Sequence, residues 1–224
     1  MTLSIYNPKK IRPFPGDIFL APHPVTNPGI DTTAINILKG YFALFYADGQ
    51  KKLVLTAGVS PWAILKSDGL VVDPKYKILE VDTNQPVPHI QAGFYPEAVE
   101  VDITIADPSR DKLVEILSGL AGQKLDTTAA LLQPGQAGFM LGAQTYFTPY
   151  TLMFRSPSPL GQGFDHLLLP KVVFDPSAVK LELSKSKLWE MKLKVKPQGD
   201  DFLLDAASTI PVWGYFEETT ALPM

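Results

Sequence analysis

From Trp189 to Lys196 the chain alternates without a break. Trp189, Met191, Leu193 and Val195 fall on one side of an extended backbone, Lys192, Lys194 and Lys196 on the other. A slip of one residue would bury three ammonium groups, so the strand and its register are both dictated locally. A second stretch does the same and then changes period. Val99, Val101, Ile103 and Ile105 alternate with Ala98, Glu100, Asp102 and Thr104, the pattern of a half-buried strand. Beyond it, Leu113, Ile116, Leu117 and Leu120 recur at helical spacing. Asp107 suits the N-cap of that helix, Pro108 its first position, and Gly119 or Gly122 its end. A helix of about a dozen residues is marginal alone. Docking its four large side chains contributes roughly 6–12 kcal/mol before entropy. The expectation is one helix, with Leu113, Ile116, Leu117 and Leu120 as its docking face, lying on the outer side of a sheet.

The remaining segments read as mainly β. Residues 17–21 form a short strand inside a proline-rich N-terminal arm, 1–40. Apolar runs at 41–47 and 51–56 flank Asp48-Gly49, a strong hairpin signal. A strand covers 76–82, and a long loop with three prolines covers 83–96. Residues 126–132 open a short helix. Antiparallel strands follow at 150–155, 167–174 and 179–183, with Pro170 marking an edge or a bulge. A C-terminal arm, 205–224, carries Trp213, Tyr215 and Phe216 without a clear period. One β domain over 1–224 with an arm at each end is the expected organisation.

Composition narrows the function classes. The 224 residues are 46% hydrophobic and 19% charged, enough apolar content for a sizeable core. A net charge of −3 lacks the concentrated basic face of a tight nucleic-acid binder. The chain has no cysteine, which excludes disulfides, thiolate metal sites and cysteine nucleophiles. The N-terminal residues lack a leader pattern, and no apolar run approaches the ~18 residues of a membrane helix, so a water-soluble chain without a membrane partner is expected. His23, His89 and His166 are far apart and lack metal-ligand spacing. Asp200-Asp201 reads as a solvated turn. Gly161-Gln162-Gly163 lies in a Pro/Ser-rich linker, not between a strand and a helix. No catalytic residue, metal or cofactor is expected.

The order of these elements resembles the major tail tube proteins of long-tailed, siphovirus-like bacteriophages. An acidic-faced strand feeds a capped helix over 99–120. It is followed by Tyr150-Thr-Leu-Met-Phe-Arg, Leu169-Pro-Lys-Val-Val-Phe, Val179-Lys-Leu-Glu-Leu and Leu188-Trp-Glu-Met-Lys-Leu-Lys-Val-Lys-Pro. The resemblance covers roughly 75–200 and extends to related tube-forming tail proteins. It implies an antiparallel β-sandwich or barrel with one flanking α-helix, contributing strands to a ring-shaped inner barrel. It also implies a structural virion protein, assembled in the host cytoplasm into stacked hexameric rings of the phage tail. Such a tube meets tape measure, terminator and distal tail proteins, and DNA passes through it at ejection without specific binding. About four strands from each of six subunits, at ~4.8 Å spacing, would give a backbone diameter of ~37 Å or more, wide enough for a duplex. Lumen walls should not grip phosphates. Glu80, Asp82, Glu100 and Asp102 are therefore the expected lumen-facing acids, with the lysine row outside the channel or paired across a subunit boundary. The alternatives are a non-tube virion or surface β-sandwich, such as a capsid-decorating or adhesin-like module, and a hydrolase built from scattered loop acids.

Overall fold

A computed structural model describes residues 16–47, 54–81, 90–107, 149–158, 163–184, 187–203 and 212–217. They form β1 (Asp17–Pro22), α1 (Ala34–Ala43), β2 (Ala63–Val81), β3 (Ile90–Ile105), β4 (Tyr150–Pro157), β5 (Phe164–Ser184), β6 (Lys187–Pro197) and β7 (Tyr215–Glu217). The strands run in the order β4-β1-β2-β3-β6-β5, every pairing antiparallel, and β4 also pairs with β5. The sheet therefore closes into a six-stranded barrel, and β7 adds to β5 where β6 has left off. The strands tilt strongly. From Ile105, partners lead one way through Leu65 and β1 to the region of Arg155 and His166, and the other way through Met191 to Leu181, far along the same strand.

Alternation explains how the barrel fills. Val101, Ile103 and Ile105 from β3 meet Met191, Leu193 and Val195 from β6 inside, with Ile18, Leu65, Leu152, Phe154, Val172 and Phe174 from the remaining strands. The strands expected at 99–105, 150–155 and 189–196 are thus present. Met191, Leu193 and Val195 of the lysine-bearing strand are buried as its alternation requires. Intervening residues on β1, β4 and β5 do not face water. Phe19, Met153 and Leu168 lie in a second core with Ile37, Tyr41 and Phe42 of α1 and with Phe45, Tyr46 and Leu203. That second core is why Tyr150-Thr-Leu-Met-Phe reads as an unbroken apolar run: both faces of β4 are covered.

Several expectations change. From Gly16 onward the supposed N-terminal arm belongs to the fold, since Ile18 and Phe19 are fully buried and 34–43 is helical. The first apolar run, expected as a hairpin strand, instead ends this helix; among the described residues Tyr46 and Leu55 make an isolated antiparallel bridge. A short apolar run has no periodicity to separate helix from strand. The missed signal is upstream: Asp31 accepts hydrogen bonds from the Thr33 amide and hydroxyl and from Asn36, fixing the turn into α1. In the C-terminal arm, Tyr215–Glu217 is a strand paired with β5 of the same chain.

The loop expected at 83–96 is half strand. β3 starts at Ile90 and pairs with β2 through three register shifts, two of which leave Ala92 and Glu97 as extra residues. Each inserted residue inverts the alternation beyond it, so a bulged strand loses its period-two signature. Pro170 behaves as expected, beside a one-residue register shift between β4 and β5. The strands expected separately at 167–174 and 179–183 are one strand, β5, interrupted by a shift between Asp175 and Lys180. The expected helix with Leu113, Ile116, Leu117 and Leu120, and the one at 126–132, lie outside the described residues.

Two long hairpins leave the barrel. Measured along β3 and β6, which pair from Val101↔Val195 to Ile105↔Met191, β2 and β3 continue past the Val101 end as far as Val81↔Ile90. β5 and β6 continue past the Ile105 end to Ser184↔Lys187. The hairpins point in opposite directions.

Replacing Ile103 with Ala should cost about 2–5 kcal/mol, the range for truncating a fully buried aliphatic side chain, measured as a lowered urea midpoint. Gly40→Ala tests a competition. Ala normally stabilises a helix interior by about 1 kcal/mol over Gly. Here the added methyl would sit 2.2 Å from the Pro28 carbonyl oxygen and 2.8 Å from the Gly29 nitrogen. The clash wins, so Gly40→Ala should lower the melting temperature; a rise would show that the 24–30 loop yields freely.

Candidate functional site

The charged residues picked out by alternation gather on the outer face of β3 and β6. Glu100, Asp102 and Thr104 stand on β3 opposite to its buried side, and Lys192, Lys194 and Lys196 do the same on β6. Asp102 lies directly across from Lys194, and Thr104 from Lys192. Lys194 Nζ donates to Glu100 Oε2 at 3.1 Å, both side chains being partly buried. Lys196 Nζ lies 2.7 Å from Asp175 Oδ2 on β5. The expected separation of acids from lysines therefore fails: they share one face and pair within the chain. Cross-strand proximity decides this, because opposite charges on adjacent strands have Cβ atoms about 5 Å apart and reach each other at little cost. Glu80 is on β2 opposite Gln91, and Asp82 lies outside the described residues. Partly exposed pairs of this kind contribute at most about 1 kcal/mol each.

A second polar cluster was not expected. Asp200, read as half of a solvated turn, is fully buried. Its Oδ1 accepts the Tyr41 hydroxyl hydrogen at 2.8 Å and its Oδ2 accepts the Leu203 amide at 2.9 Å. Asp201 is exposed and pairs with Lys171 at 2.9 Å, which holds its carboxyl below the usual carboxylate range. His23 lies between Tyr41 and Phe202, with ring centroids at 6.3 and 6.2 Å and both contacts near parallel. Its Nδ1 is 3.0 Å from the Pro170 carbonyl, which also accepts from the buried Thr151 hydroxyl at 2.8 Å. His166 is buried as well, with Nε2 2.8 Å from the Tyr46 hydroxyl. Burial, then the hydrogen bond to Asp200, push the Tyr41 phenol far above its ordinary value. His166 is thus a buried group on β5, and His23, just after β1, has its ring largely covered. Only the residue types of Asp200 and His23 were visible beforehand, because their partners come from distant elements.

No three His, Asp or Glu side chains among the described residues are placed to hold a metal ion. A recess between β1, β2, β4 and β5, lined by Leu65, Phe154, Arg155 and Asp165 among others, offers about 40 Å³. Small-molecule sites generally have about 300 Å³ or more. Arg155 is already engaged there by Asp17 and stacks over the rings of Phe19 and Phe164. No helix among the described residues is long and apolar enough to cross a membrane. Comparison with models of known protein families yields no match, and neither does comparison with curated proteins.

Tyr41→Phe should cost on the order of 1–3 kcal/mol by leaving Asp200 short of a buried donor. Because the folded phenol titrates above the ordinary value of 10, the unfolded chain loses this proton first. The contribution is complete below pH 10 and is lost as pH rises above it. Denaturation midpoints of the wild type should therefore fall more steeply than those of Tyr41→Phe in strongly alkaline buffer. Parallel curves would mean that Tyr41 carries no such linkage.

Proposed function

We propose that this protein is a self-assembling structural subunit of a phage tail tube, stacking as hexameric rings around a channel for DNA, and that it is not an enzyme. The observation that carries this reading is the pair of long hairpins leaving the barrel in opposite directions. Beyond Leu65, β2 has no described partner except β3, and β3 before Val101 has none except β2. The distal part of β5 and β6 is likewise a two-stranded ribbon. Isolated two-stranded ribbons are marginal in water, and their free N–H and C=O rows are templates for further strands. Pairing with neighbouring copies satisfies both demands at once. Extensions toward opposite ends suit a subunit that must meet copies within its own ring and in the next.

In this reading the outer face of β3 and β6 turns toward the channel and, of the four acids expected there, puts Glu100 and Asp102 on its wall. The Glu100–Lys194 and Asp175–Lys196 pairs keep the lysines from gripping phosphates, since an ammonium already neutralised releases fewer counterions from DNA. Tape measure, terminator and distal tail proteins are the partners this role requires, and the mature virion is its location.

Negative-stain microscopy of the purified full chain should show tubes or six-fold rings. A variant with the β2–β3 hairpin cut back to Lys75 and Ala98, closed by Asn-Gly, should keep the barrel's circular dichroism and melt cooperatively but form neither. Dispersed monomers or trimers from the full chain would overturn the tube reading. Normal tubes from the shortened variant would overturn the role given to the hairpin.

A further inference from the structure

The buried cluster around His23 contains an asymmetry that the fold alone does not require. The Pro170 carbonyl can only accept, so His23 Nδ1 carries a hydrogen and donates to it across 3.0 Å. In a neutral imidazole Nε2 then presents a lone pair, and what it faces is Asp200 Oδ1 at 3.8 Å. Two acceptors confront each other at a distance too long for a hydrogen bond. A second proton on the ring makes Nε2 a donor and turns this contact into a charge-assisted bond. Imidazole is the side chain that takes up such a proton between about pH 5 and 8.

We propose that His23 and Asp200 form a proton-operated latch that clamps the segment after β6, and through it β7, to the barrel and α1. The ring is already held between Tyr41 and Phe202, so closing needs only a small approach of the carboxylate. The charged and titratable groups around the ring are Asp200 and Asp201 after β6, Lys171 on β5 and Tyr41 on α1. Lys171 is committed to Asp201, and among the described residues the hydrogen-bond donors to the Asp200 carboxylate are neutral, the Tyr41 hydroxyl and the Leu203 amide. A cation at His23 supplies the missing countercharge.

The connections downstream are short. The Asp200 amide donates to the Val212 carbonyl at 3.3 Å and the Val212 amide to the Leu203 carbonyl at 2.9 Å. Tyr215 on β7 then packs edge-on against Phe42 of α1, and Tyr215–Glu217 pairs with His166–Leu168 of β5. Closing the latch tightens this whole strap; raising the pH loosens it while the barrel interior, which contains none of these groups, stays as it was.

The test uses the full chain in two measurements. Nitrogen-15 imidazole spectra of the wild type should show His23 as the Nδ1–H tautomer when neutral and doubly protonated at about pH 5.5. Hydrogen exchange, corrected for its intrinsic pH dependence, should slow about tenfold in 198–203 and 212–217 between about pH 8 and 5.5, relative to β3 and β6. In His23→Gln that change should vanish. An Nε2–H tautomer, a ring that stays neutral until the protein unfolds, or an exchange ratio independent of pH in the wild type would each overturn the latch. So would an unchanged pH response in His23→Gln. If that variant does not fold, the spectra and exchange of the wild type decide alone.

Discussion

Burial of β1, β4 and the first half of β5 on both faces holds the molecule together. In these strands successive side chains serve different cores. Ile18 fills the barrel and Phe19 the layer beneath α1; Leu152 and Phe154 face inward while Met153 faces the helix. The barrel wall and the helix layer therefore cannot be assembled independently, because each needs the register that the other fixes. A slip of one residue in β4 would exchange Met153 with its neighbours and disturb both cores together. The same strands carry polar exceptions, and two of them show how such groups are held. Thr151 reaches the carbonyl of Pro170 where the bulge brings it close, and Arg155 is held by Asp17.

The cluster around Asp200 shows what that double layer demands at its margin. A buried carboxylate is costly unless donors surround it, and here they come from α1 and from its own turn, with the His23 ring alongside. The arrangement ties the C-terminal part of the chain to the N-terminal strand and helix, closing a covalently distant loop with a few directional contacts. Directional contacts specify a single geometry, whereas the apolar layer alone would tolerate several.

Away from the double-layered side, β2, β3, β5 and β6 have one covered face and then run out as ribbons. There the barrel's logic ends: the outer faces carry paired charges and the edges have no described partners. Under the tail-tube proposal, the closed part would keep the subunit folded while the open part met other copies. The tail-tube proposal rests on that division.

The sequence by itself determined the strands whose two faces meet different solvents. Val99 to Ile105 and Met191 to Lys196 read correctly because one face is core and the other water, so polarity records the pleat. Pro170 marked its bulge for an equally local reason, the missing N–H. Tertiary structure decided everything in which the second partner came from elsewhere. The run at 41–47 became the end of a helix because β1, β4 and β5 offered it an apolar bed, and its residues are apolar enough to satisfy either conformation. Residues 90–96 looked like loop because bulges at Ala92 and Glu97 broke an alternation that only a paired strand reveals. Of the charged site, the faces of Glu100, Asp102 and the lysines were legible from alternation. Their sharing of one face was not, since strand adjacency is a property of the closed barrel. Asp200 and His23 were opaque for the deepest reason: a polar residue is buried only when distant partners pay its desolvation, and a one-dimensional text does not say who those partners are.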